Sequence, residues 1–188
     1  MNLFKSSNTL FALGIILLAV ISRLIPHAYN FAPFGAIALF SGSVLSNRIL
    51  AVLVPCLAAW FSGIILNNLV YQSIFTEFTW FDYNIFWQSL SYALTAMLGM
   101  TMLSTKPRFL KLALAAISAS MIFFILTNFG YWTTGLFYTR DLAGLVTCYF
   151  NALPFYPASL AGDLIYSVAM FGIYYLVVRR RFQTSAVN

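Results

Sequence analysis

The chain has 188 residues, of which 62% are hydrophobic, 18% aromatic and only 7% charged, with a net charge of +6. A soluble domain is about 25% charged, so ten basic and four acidic residues are too few to cover a soluble globule. With only 10 Gly, 6 Pro and 2 Cys, disordered, collagen-like and disulfide-scaffold classes are excluded as well. What remains is an all-α polytopic membrane protein in a single membrane domain. Its basic excess reads as cytoplasmic loops and not as a nucleic-acid surface.

A helix crossing the hydrocarbon core needs roughly 20 mostly apolar residues at about 1.5 Å each. The first predicted helix covers residues 10–25 and stops at Pro26. Lys5 before this apolar run resembles the start of a signal peptide, but Arg23, Pro26 and His27 stand where a small-residue cleavage site belongs. The segment is therefore read as an uncleaved helix. The second covers residues 34–45, too short to cross unaided, and reads either as a half-helix or as a span lengthened by its flanks. Further helices are predicted over 49–66, 85–103, 112–129 and 158–178. Between the last two, residues 130–157 carry Gly and Pro at intervals around a second apolar run at 142–153. This stretch is expected to form an aromatic flap at the outer face, either re-entrant or interfacial.

Charge placement supports six crossings. Lys5, Arg48, Lys106, Arg108, Lys111 and Arg179 to Arg181 then all fall on one side, eight of the ten Lys and Arg. By the positive-inside rule that side is the cytoplasm, and both termini lie there. The loop with Glu77 and Asp82 has no basic residue and faces outward. The expected location is a membrane, with the lipid bilayer as the first partner.

Polar residues gather at the outer helix ends: Arg23, His27, Asn30, Asn67, Asn68, Asn128, Trp132 and Asp163. Asp163 is the only acid inside a predicted span, and buried charge in a bilayer is costly and tends to be paired or functional. Arg23 is its expected partner, as a structural ion pair joining the first and last helices. The alternative for Asp163 is a ligand-facing group in an outward-open pocket. His27 is the lone histidine. It reads first as an interfacial residue, with a ligand-binding or pH-sensing role as the alternative, and no histidine metal cluster can form around it. Cys56 and Cys148 are expected as small apolar residues rather than a disulfide. Small pairs four apart, Ala38/Gly42, Ala115/Ala119 and Ala158/Gly162, mark helix packing. No nucleotide, hydrolase or metalloprotease motif is present. No cofactor or enzymatic activity is expected, although Asp163 with His27 would be the one conceivable catalytic pair.

Three stretches carry a resemblance. Residues 23–42 read RLIPHAYNFAPFGAIALFSG, 123–132 read FFILTNFGYW, and 141–172 read DLAGLVTCYFNALPFYPASLAGDLIYSVAMFG. Together they resemble a family of uncharacterised bacterial six-helix proteins regarded as transporters, itself similar to the substrate-binding S-components of energy-coupling factor (ECF) vitamin transporters. The resemblance implies a six-helix S-component-like bundle with a loop-capped outer pocket for a small, vitamin-like solute. It also implies partnership with an ECF-type coupling subunit and ATPases. The matching positions are His27, Asn30, Phe31 and Pro33, then Asn128 and Trp132, then Tyr149, Pro154, Phe155 and Asp163. The substrate-binding set expected from residues and resemblance together is His27, Asn30, Asn128, Trp132, Tyr149 and Asp163. Two features depart from the pattern. Ser62-Gly63 stands where the family tends to carry Ser-Asp, and the first helix offers Ala12 and Ala19 instead of an Ala-x-x-x-Ala docking face. The alternative to a transporter is a structural or accessory membrane protein with no transported solute.

Overall fold

Uninterrupted apolar runs of this length close their backbone hydrogen bonds within the segment, so they fold as helices. The computed structural model describes the backbone of residues 3–25, 30–70, 77–103 and 107–185, and among these the side chains from Thr9 to Val177. Seven α-helices occur in the described residues: α1 (Leu3–Ser22), α2 (Phe34–Val44), α3 (Arg48–Leu69), α4 (Ile85–Met102), α5 (Phe109–Thr134), α6 (Leu142–Ala152) and α7 (Tyr156–Ser185). A 3-10 turn, Leu153–Phe155, links α6 to α7. Three stretches are long and apolar enough to cross a membrane: Arg48–Leu69, Phe109–Thr134 and the run Leu142–Val177 through α6 and α7.

The distribution of side chains is the reverse of a soluble protein. Leu10, Leu18, Leu53, Phe61, Leu114 and Ile165 point outward and are exposed, whereas Ser41, Ser62, Ser91, Thr95, Ser120, Thr127 and Ser167 are buried. Water would penalise that arrangement on both counts. A bilayer favours it, because lipid accepts the outer apolar faces and small polar residues let helices approach. The fold therefore supports a membrane protein.

The centre of the bundle is α2. At 11 residues it is about 16 Å long, a half-helix, and it touches α1, α3, α4, α5 and α7. Every residue from Phe34 to Gly42 is buried. Phe40 is held edge-on by Phe171 and Tyr174 of α7, at 5.2 and 5.5 Å between centroids. Against α4 the contact is backbone to backbone. A Cβ on Gly42 would overlap the Ala96 carbonyl, and one on Gly99 would overlap the Leu39 carbonyl. The Ala38/Gly42 pair thus marks a true helix crossing.

α2 also repairs a defect in α3. Pro55 lies inside α3 and has no N–H, so the carbonyl four residues earlier loses its helical donor. That carbonyl, Ala51, instead accepts from the Ser41 hydroxyl of α2 at 2.7 Å. Ser41→Ala is expected to leave it unsatisfied at a cost of about 1–3 kcal/mol. Denaturant unfolding in detergent should show the loss, and Ser41→Thr, which keeps a hydroxyl, should show less of it.

Two boundaries differ from the sequence expectation. The first helix is shifted toward the N-terminus and ends at Ser22, with Arg23 and Leu24 donating to Val20 and Ile21 in a tighter turn. The expected flap is mostly helical: residues 130–134 complete α5, and α6 with its 3-10 turn occupies 142–155. The irregular connection shrinks to residues 135–141. It begins at Gly135, whose φ of 66° closes α5 in the left-handed region that glycine adopts without strain.

Candidate functional site

Two groups of polar residues are built at the ends of these helices where α1 finishes and α2 begins. The first ties α6 to α5. The Tyr149 hydroxyl donates to the Ile125 carbonyl at 2.7 Å, and the Cys148 thiol donates to the Asn128 carbonyl at 3.3 Å. The Asn128 amide donates back to Phe124 at 2.7 Å, and the Trp132 indole donates to Thr139 at 2.9 Å. Asn128, Trp132 and Tyr149, three residues of the expected binding set, are thereby brought together, and each spends a donor on backbone. Cys56 and Cys148 are both free thiols.

The same region explains two leftover charges. The Arg140 guanidinium donates to the Thr134 carbonyl at 2.9 Å, a cation on a helix C-terminus. Asp141 caps α6, accepting from the Gly144 N–H at 2.7 Å and from the Thr139 hydroxyl at 2.9 Å. The Gly144 N–H first, and the Thr139 hydroxyl second, hold the Asp141 carboxyl below the usual carboxylate range. A depressed folded value stabilises the fold above the ordinary carboxylate pKa of about 4 and loses that stabilisation as pH falls through the folded value. Acidification below about pH 4 should therefore loosen α6. Hydrogen exchange should report it, and Asp141→Asn should flatten the dependence.

The second group surrounds the N-terminus of α2. Asp163 on α7 is buried at 5% exposure. Its carboxylate faces the backbone N–H groups of Gly35 and Ala36 in the first turn of α2, with Ser120 of α5 beside it. Helix N-termini leave such N–H groups without intrahelical partners and carry partial positive charge. The residue before α2, Pro33, supplies no side-chain cap, so Asp163 serves as a cap delivered from another helix. Gly35 is required for this approach, because any Cβ there would overlap the carboxylate.

Arg23 reaches a different place. Its guanidinium donates to the Ser62 hydroxyl at 2.8 Å and lies 4.8 Å over the Phe34 ring. Phe34 packs on Tyr92 at 5.5 Å, and Tyr92 stacks on Phe123 at 5.5 Å. Tyr92 is within electrostatic range of both Arg23 and Asp163. The two charges thus share a neighbourhood, but Arg23 turns to Ser62 and Phe34 while Asp163 turns to α2. Among the described residues no direct ion pair joins them. The physical reason is that α2's N–H groups offer the carboxylate a nearer, already desolvated partner. Ser62, singled out for its missing neighbouring acid, proves to be an Arg23 acceptor.

His27 lies outside the described residues. Asn30 is exposed, with a left-handed φ of 62° that Asn tolerates better than most residues. It marks the turn into α2. Sequence reasoning missed Gly35, Tyr92 and Ser120. Gly35 was visible as a glycine opening an apolar helix, a signal of close approach. Nothing set Ser120 apart from other membrane serines.

No curated protein and no solved structure matches the chain. Residues 4–185, nearly its whole length, match the family of unknown function DUF6580, and the chain belongs to that family.

Proposed function

We propose that the protein is a multi-pass transport protein of the bacterial cytoplasmic membrane that binds a small solute from the outer face. In this reading α1, α3, α4, α5 and α7 cross as helices, the half-helix α2 with its non-helical flanks makes the sixth passage, and both termini are cytoplasmic. The sorting of basic residues supports that orientation. The observation that carries the transport reading is the start of α2. There a buried half-helix directs its N-terminus at Asp163, and Arg23 lies over the adjoining Phe34. Broken or half-length helices with ionisable groups at their ends are how membrane carriers build solute sites near the bilayer interior. The aromatic surroundings, Phe34, Tyr92 and Phe123, suit a partly aromatic, vitamin-like solute. An S-component-like role with an ECF-type coupling subunit and ATPases belongs to the same proposal.

A second reading, an accessory membrane protein without a solute, is favoured by one observation. Asn128, Trp132 and Tyr149 all donate to backbone, as structural residues do. The test is purification in mild detergent, followed by mass spectrometry of retained small molecules. The transport reading expects a retained solute that is lost in Arg23→Gln and kept in the control Glu77→Gln. A partner complex with no solute, unchanged by Arg23→Gln, overturns it.

A further inference from the structure

The described bundle interior contains one carboxylate, Asp163, and two buried serine hydroxyls, one on α5 and one on α7, that complete no well-formed hydrogen bond. Ser120 on α5 and Ser167 on α7 are both fully buried, and both oxygens lack a partner among the described residues. Serines in helices usually donate back to the carbonyl one turn earlier, as Ser62 does to Ala58 at 2.7 Å and Ser91 to Trp87 at 2.5 Å. Ser120 instead stands beside the Asp163 carboxylate, near enough to act on it as a donor but short of a well-formed hydrogen bond. Ser167 lies one turn beyond Asp163 on the same face of α7. Unsatisfied buried hydroxyls are costly and call for an explanation.

We infer that Asp163, flanked by Ser120 and Ser167 at the start of α2, is a proton-binding site that couples α7 to α2. The geometry provides for both protonation states. An ionised carboxylate only accepts hydrogen bonds, and the N–H groups of Gly35 and Ala36 supply them. A protonated carboxyl needs an acceptor for its O–H, and the vacant lone pairs of Ser120 and Ser167 are the acceptors at hand. A proton from the aqueous phase adds to one carboxylate oxygen, and the same proton leaves when the carboxylate re-forms. Nothing is oxidised or reduced. Binding the proton removes the charge that holds α2's N-terminus, so it weakens the α2–α7 tie and turns the acid toward α5.

The groups around the site are consistent with a proton as its guest. From α4 comes Tyr92, within electrostatic range of Asp163, and from the end of α1 comes Arg23, within range of Tyr92. Gly35 and Ala36 of α2 and Ser120 of α5 bring no titratable side chain. On α7 itself Tyr166 is engaged with Ser22 at 2.8 Å. A metal cation is disfavoured, because the same N–H groups that attract a carboxylate repel a cation. The inference rests on the transport reading for its purpose, where the proton is the switch that loosens α2 from α7, but the site can be tested alone.

The experiment is infrared difference spectroscopy of the purified full chain, titrated from alkaline to acid. A desolvated carboxyl gives a C=O stretching band that appears on protonation. The expected result is such a band in the wild-type protein, lost in Asp163→Asn and shifted in Ser120→Ala or Ser167→Ala, both of which keep the acid. Absence of the band, its survival in Asp163→Asn, or its indifference to both serine variants overturns the site. A band in a protein that retains no solute removes the transport reading and leaves the site. A retained solute, lost in Arg23→Gln, without the band removes the site alone.

Discussion

Gly42→Val is expected to destabilise the bundle by at least about 1–3 kcal/mol, the range for overpacking a close-packed interior, and to fall at the upper end of it. The reason is what the new side chain would meet. A Cβ at position 42 overlaps the Ala96 carbonyl and crowds its Cα, all backbone of a neighbouring helix. A flexible side chain could swing away, but α4 cannot. Its own Gly99 is locked in the same way against the Leu39 carbonyl of α2. Relief requires α2 and α4 to separate, and α2 also contacts α1, α3, α5 and α7, so the displacement spreads through every interface. Gly14→Val makes a sharp control, because nothing lies within 4 Å of a Cβ there. Thermal unfolding of the two variants in detergent should show a large loss for Gly42→Val and little for Gly14→Val. Equal losses would mean that the α2–α4 approach is not the constraint described.

What the sequence made legible, and what it hid, follow from the same physics. The shortness of the second helix was readable because a run of about a dozen apolar residues cannot reach across a bilayer. Its central position was not, since α2 is apolar all round and carries no face that names its neighbours. Asp163 stood out as the only acid in a predicted span, and it is indeed buried. Its partner was misjudged because side-chain charge is visible in a sequence and a helix-end N–H is not. How much of residues 130–157 is helical was hidden by the glycines and prolines that interrupt the stretch. Gly130 and Gly144 sit inside helices, and Pro157 occupies the first turn of α7, where a missing N–H costs nothing. Asn128 and Trp132 were singled out by their polar placement, and Tyr149 by the resemblance. Only coordinates could reveal that all three donate to backbone.

Asp163→Ala carries the other large expected effect. Two terms oppose one another. Removing a buried carboxyl group relieves its desolvation, which favours the variant. It also strips the acceptor from the N–H groups of Gly35 and Ala36 at a buried helix end, at a cost of about 1–3 kcal/mol for each group left unmade. The second term should win. Pro33 offers no side-chain cap and Phe34 to Gly42 are sealed from solvent, so water cannot replace the lost acceptor. Asp163→Asn retains an oxygen in the same place and should lose much less. Gly35→Ala should behave like Asp163→Ala although it leaves the acid intact, because its methyl would occupy the carboxylate's position and force it off the α2 N-terminus. The measurement is the unfolding midpoint of all three variants in one detergent. The capping account requires Asp163→Ala and Gly35→Ala to fall together, well below Asp163→Asn. If Gly35→Ala matches the wild-type protein, the carboxylate is not seated where α2 begins, and both the cap and the proton site built on it fail.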